Sequence, residues 1–103
     1  MGKRRVNYVR SHLYNYKYNK KLLDIPGCLI GNHRLSKVAL FALCIKKILK
    51  QLSQEFKVYL RLRYFSDNPQ SLSNIAMDLN VSERTLNRWD ELIIKIIFDR
   101  LER

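Results

Sequence analysis

Ser71-Leu72-Ser73-Asn74-Ile75-Ala76-Met77-Asp78-Leu79-Asn80-Val81-Ser82-Glu83-Arg84-Thr85-Leu86-Asn87-Arg88-Trp89 is laid out as two helices with a tight turn between them. Helices that cross at a turn need a small residue where they approach and apolar residues on their facing sides. Ile75 and Leu79 stand one turn apart, Ala76 is small at the crossing, Val81 fills the turn, and Leu86 and Trp89 stand three apart on the second helix. Asn80 falls at the bend, where a left-handed backbone is expected and where Asn is tolerated better than most residues bearing a Cβ. Ser71 and Ser82 are placed as N-caps, the first for a helix over 72–79 and the second for one from Glu83 to about Leu101. The spacing predicts a helix-turn-helix whose turn is Asn80-Val81-Ser82.

Upstream, Ser53 is a further N-cap with Glu55 in the first turn, where the helix dipole favours an acid. That helix runs to about Phe65 and stops at Ser66-Asp67-Asn68-Pro69. From Leu35 to Leu52, the residues Val38, Phe41, Ala42, Ile45, Ile48, Leu49 and Leu52 follow helical spacing, with Lys37, Lys46, Lys47 and Lys50 mostly between them. Ile25-Pro26-Gly27 and Gly31-Asn32 make 24–32 the main linker, because proline lacks an amide and glycine is entropically costly in a helix. Val9, Leu13 and Tyr16 define one face of a helix between Tyr8 and Leu23.

With 103 residues, 47% hydrophobic content and only three Gly and two Pro, the chain is expected to form one compact all-α domain of about five helices. No stretch approaches the roughly 18 apolar residues of a membrane span. Cys28 and Cys44 form no CxxC pair, and the start Met1-Gly2-Lys3-Arg4-Arg5-Val6 lacks the apolar run of a secretory signal, so a cytoplasmic protein with reduced thiols is expected.

The net charge of +11 attracts polyanions, chiefly nucleic acid and less often anionic membrane. Residues 1–21 carry seven basic side chains and no acid, residues 22–52 carry five and one, and residues 53–103 carry eight of each. The excess charge therefore lies in the first half, outside the helix-turn-helix.

A second helix that enters the major groove of duplex DNA by its N-terminus exposes Ser82, Glu83, Arg84, Asn87 and Arg88 away from the Leu86 and Trp89 face. Arg84 or Arg88 is suited to guanine O6 and N7, Asn87 to adenine, and Thr85 to a phosphate or a thymine methyl; the residues alone do not apportion these roles. The N-terminal segment sets Lys3, Arg4, Arg5, Arg10, Lys17, Lys20 and Lys21 among Tyr8, Tyr14, Tyr16 and Tyr18, a composition expected to track phosphates. On this reading a neutral reader is tethered by a basic arm, and removing 1–21 costs affinity before specificity.

Leu60-Arg61-Leu62-Arg63-Tyr64, a short loop, and the stretch from Ser71 to Trp89 together resemble the promoter-reading C-terminal domain of bacterial sigma factors. More closely, they resemble the RinA/ArpU group of phage late-transcription regulators, with the core Ile75-Ala76-Met77-Asp78-Leu79-Asn80-Val81-Ser82-Glu83-Arg84-Thr85 ahead of an aromatic residue. The likeness covers about half of the chain. Family helices often carry acids after the first cap, where this chain has Ser73 and Asn74. The resemblance implies a phage-encoded activator of late gene transcription in a bacterial host, with host RNA polymerase as a partner. The reading as a whole divides a single DNA-binding domain, 1–103, into a basic arm or helix (1–23), a core helix (34–52) and a sigma-like helix-turn-helix region (53–103). A small terminase subunit that marks viral DNA for packaging, and a sigma mimic that binds polymerase without DNA, are the alternatives.

The apolar residues between Leu92 and Leu101 cannot all share one helix face, so some must meet a second surface. That surface is either the 35–52 helix or a second copy in a homodimer. His12, Cys28, His33 and Cys44 are metal-ligand types without ligand spacing, so no metal or cofactor is expected. Asp90 and Glu91 point apart on a helix, and no Ser/His/Asp set or Gly-rich phosphate loop is present, so no enzymatic activity is expected.

Overall fold

Among the described residues, the α-helices carry apolar stripes that converge on the last of them. The structure, a computed structural model, describes residues 2–25 and 34–101. Among these residues the architecture is all-α: α1 (Lys3–Asn19), a 3₁₀ turn (Lys20–Asp24), α2 (Arg34–Gln51), α3 (Gln54–Leu60), a π-helical turn (Arg61–Phe65), α4 (Leu72–Leu79) and α5 (Glu83–Leu101). The predicted linker lies almost wholly outside the described residues, as do Cys28 and His33.

The helices of the second half begin where the sequence places them. Ser53 Oγ accepts from the Phe56 amide and Ser71 Oγ from the Asn74 amide, each satisfying one of the amides left over at a helix start. Helix α1 begins earlier than its apolar spacing indicates, at Lys3 rather than near Tyr8. Its first turn holds no acid, so three cations stand at the positive end of the helix dipole with nothing there to offset them.

Helix α5 is the central rod. Leu86, Ile93, Ile94 and Ile97 are fully buried along it, and both α1 and α2 pack against it. Val9 and Leu13 come to it from α1, and Phe41, Ala42, Ile45 and Ile48 from α2. The crowded 92–101 segment thus finds its second surface largely within the chain: Ile96, Phe98 and Leu101 are half-buried against the same core, and of its apolar residues only Leu92 stays largely outside.

One expectation is corrected here. Residues 1–21 are not a detachable arm, because Val9 and Leu13 are completely buried and Tyr16 nearly so. Deleting the segment removes one wall of the core, so loss of affinity cannot be separated from loss of the fold. Among the described residues, no helix is long and apolar enough to cross a membrane.

Candidate nucleic-acid interface

The corner between α4 and α5 is built by backbone geometry. Asn80 adopts the left-handed conformation (φ 55°, ψ 46°). That turn lets the Asn80 amide donate to Met77 O (3.3 Å) and the Val81 amide to Ala76 O (3.0 Å), the paired bonds of a Schellman C-cap. Val81 then folds back onto the core beside buried Ile75 and Ala76. Ser82 restarts the helix: its Oγ accepts from the Thr85 amide at 3.1 Å and lies 2.9 Å from Thr85 Oγ1. A further bond crosses the corner, from Ser73 Oγ of α4 to Glu83 Oε1 of α5 (3.0 Å).

These contacts sort the six residues assigned to base reading. Ser82 and Thr85 are engaged in capping, with Thr85 half-buried, and Glu83 ties the two helices together. Arg84, Asn87 and Arg88 are exposed and make no hydrogen bond or ion pair with the described residues. Arg84 and Arg88 are four apart and Asn87 lies three beyond Arg84, so the three head groups share one exposed face of the first turns of α5.

The residues assigned to phosphate contact also divide. Lys3, Arg4 and Arg5 are exposed on the first turn of α1, with the Arg5 guanidinium 5.2 Å from the centre of the Phe98 ring. Lys20 and Lys21 are exposed on the 3₁₀ turn. Lys17 is drawn inward, donating to Ser66 O at 3.0 Å with Asp67 at 3.4 Å. Arg10 departs from the expectation: its guanidinium donates to the buried Asp90 carboxylate at 2.7 Å, so its charge is spent inside the protein.

Asp90 is the feature that sequence reasoning missed. It is only 1% exposed, yet it accepts from Tyr59 Oη (2.8 Å), Tyr64 Oη (2.6 Å) and Arg10, with Arg63 at 3.3 Å. Arg63 also donates to Tyr59 Oη. The π turn makes this convergence feasible, because its i→i+5 repeat brings Tyr59 and Tyr64, five apart, toward one face. Burial, and then the negative charge of Asp90, push both phenols well above their ordinary range. For Arg63, burial opposes the charged form, but its bond to Tyr59 and the neighbouring negative charge outweigh that and raise its affinity for its proton.

A signal for this hub was present in the sequence. Leu86, Asp90, Ile93 and Ile97 fall at helical spacing, so an acid sits on the buried stripe of α5 and must find donors. The hub lies one turn beyond the exposed Arg84, Asn87 and Arg88 face and ties α5 to α1 and to the π turn. Comparison with protein families, curated proteins and solved structures finds no match for this chain.

Proposed function

We propose that the protein is a sequence-specific double-stranded DNA-binding regulator of transcription, with α4 and α5 acting as a helix-turn-helix and α5 as the reading helix. One observation carries this reading: Arg84, Asn87 and Arg88, three side chains suited to base edges, stand exposed without a hydrogen bond or ion pair to the described residues on the first turns of α5, where Glu83 is tied to α4, Thr85 to the cap and Leu86 to the core. The net charge of +11 supports a polyanionic target, and exposed Lys3, Arg4, Lys20 and Lys21 are available to phosphates. The resemblance of residues 60–89 to phage late-transcription regulators favours activation of late genes together with host RNA polymerase.

The test is selection of bound sites from random duplex DNA, followed by Arg88→Ala. The variant is expected to lose about 1–3 kcal/mol on the selected site and to relax the preference at one position. Lys20→Ala with Lys21→Ala is expected to weaken all duplexes alike. If Arg88→Ala and Arg84→Ala bind every sequence as the wild type does, α5 is not the reading helix. Activation is tested separately, by a reporter behind the selected site in a bacterial host.

A further inference from the structure

We propose that an open cleft away from the reading face is a second DNA contact, one that seats the phosphate backbone of duplex DNA outside the base pairs that α5 reads. The cleft, of about 540 Å³, lies between the 3₁₀ turn, the end of α2, α3 and the π turn, and is lined by Lys20, Leu49, Lys50, Lys57, Arg61 and Phe65. No residue of α4 or α5 contributes to it. The inference rests on the DNA-binding reading for the identity of the polyanion, and on the cleft itself for the rest.

Four cations from three separate stretches of chain meet here with no acid among the lining residues. None of the four forms an ion pair with a described residue, although the fold neutralises Arg10, Arg63 and Lys17 elsewhere. Helix dipoles favour a cation at each of these places, Lys50 and Lys57 in the last turns of α2 and α3 and Lys20 and Arg61 at the C-caps of α1 and α3, but each helix end offers only about half a charge and replaces no counter-ion. Like charges gathered without a counter-ion repel one another, and an external polyanion relieves that repulsion.

The shape selects the kind of anion. Three ammonium groups on flexible stems and one guanidinium, around an apolar floor of Leu49 and Phe65, present a spread of charge rather than a fixed cradle for one head group. Such an array suits the repeating phosphates of a polymer, with the apolar floor available to sugar carbons. The strip continues past Lys20 into a neighbouring hollow that holds Lys21 and Lys46, with Asp24 as its one acid. Lys57 and Arg61 come from the half of the chain whose charges sum to zero, so counting along the sequence conceals this surface.

The test measures the affinity of the full-length protein for a random-sequence duplex, and for the selected site, at several salt concentrations. Each phosphate contact contributes about 0.9 to the slope of log affinity against log salt. K50Q/K57Q/R61Q is therefore expected to lower the slope by about 2.7. Between 50 and 200 mM salt, the wild type then loses roughly 40-fold more affinity than the variant. The ratio of selected to random affinity is expected to stay unchanged, and K50R/K57R/R61K to keep the wild-type slope. If the triple variant does not fold, K50Q and R61Q alone are each expected to lower the slope by about 0.9.

An unchanged slope in the folded variant overturns this inference and leaves the reading helix standing. A reduced slope in a protein with no preference for any sequence sustains the cleft and overturns sequence-specific reading instead. Absence of any duplex binding by the wild type overturns both.

Discussion

Asp90→Asn removes one charge from the interior and almost no volume, which makes it the sharpest probe of the fold. The carboxylate is 1% exposed and is met by Arg10, Tyr59, Tyr64 and Arg63 at 2.7, 2.8, 2.6 and 3.3 Å. An amide in its place turns one acceptor into a donor facing donors, and leaves two guanidinium groups without their anion. Removing one partner of a buried ion pair costs about 3–5 kcal/mol. The Arg10 and Arg63 side chains keep 34% and 17% of their exposure, so water recovers part of that penalty and the lower end, about 3 kcal/mol, applies. For a domain of this size that corresponds to a Tm lower by roughly 12 °C or more. Urea unfolding followed by helical circular dichroism and by Trp89 fluorescence measures it directly. An unfolding free energy that falls by less than about 1 kcal/mol at unchanged slope would refute the argument that this carboxylate anchors α5. Replacing the whole hub by apolar residues of similar size is expected to cost far less than the single change, because no stranded charge remains.

Asn80→Ala is expected to cost about 1–2 kcal/mol, the penalty of a Cβ in the left-handed region, whereas Asn80→Gly should equal or exceed the wild type in thermal melting. Tyr59 and Tyr64 hold their protons more tightly in the folded state than in the unfolded chain, where they titrate near 10. Their contribution is therefore complete below that pH and is lost as pH rises through the folded values. Stability should fall above pH 10 by up to about 1.4 kcal/mol per pH unit for each phenol, and a flat urea midpoint from pH 9 to 11.5 would contradict this. His12 lies flat against Phe41 with ring centres 3.7 Å apart, and burial pulls its pKa below the ordinary 6.5. Its contribution is complete above that value and is lost as pH falls through the folded one, so His12→Phe should melt with a shallower decline between pH 7 and pH 4.5 than the wild type.

The parts of the fold that local chemistry specifies were legible in the sequence. Ser53, Ser71 and Ser82 start helices, Asn80 turns left-handed, and the apolar spacing of 35–52 and 83–101 places the two longest helices, each within a residue or two. The hub was not legible in the same way, because Arg10, Tyr59, Arg63, Tyr64 and Asp90 meet only after three stretches of chain have packed. Adjacency to Glu91 says nothing about which of the two acids turns inward; the Leu86, Ile93 and Ile97 stripe does. The π turn escaped as well, since a change of helical repeat within Leu60-Arg61-Leu62-Arg63-Tyr64 leaves the apolar spacing almost unaltered. The candidate site was half legible: the six residues singled out for base reading lie at the cap and first turns of α5, but only the contacts of Ser82, Glu83 and Thr85 separate scaffold from exposed head groups.

On the proposed function, that separation bears on how a DNA-reading protein of this kind would change its target. Arg84, Asn87 and Arg88 are exposed and make no hydrogen bond or ion pair with the described residues, and surface substitutions of that kind typically alter stability by no more than about 0.5 kcal/mol. The three positions are therefore open to drift, in nature or in a randomised library, with the corner and the buried carboxylate left intact. New recognition would arise by exchange of three side chains on an inherited frame, with no intermediate that must refold.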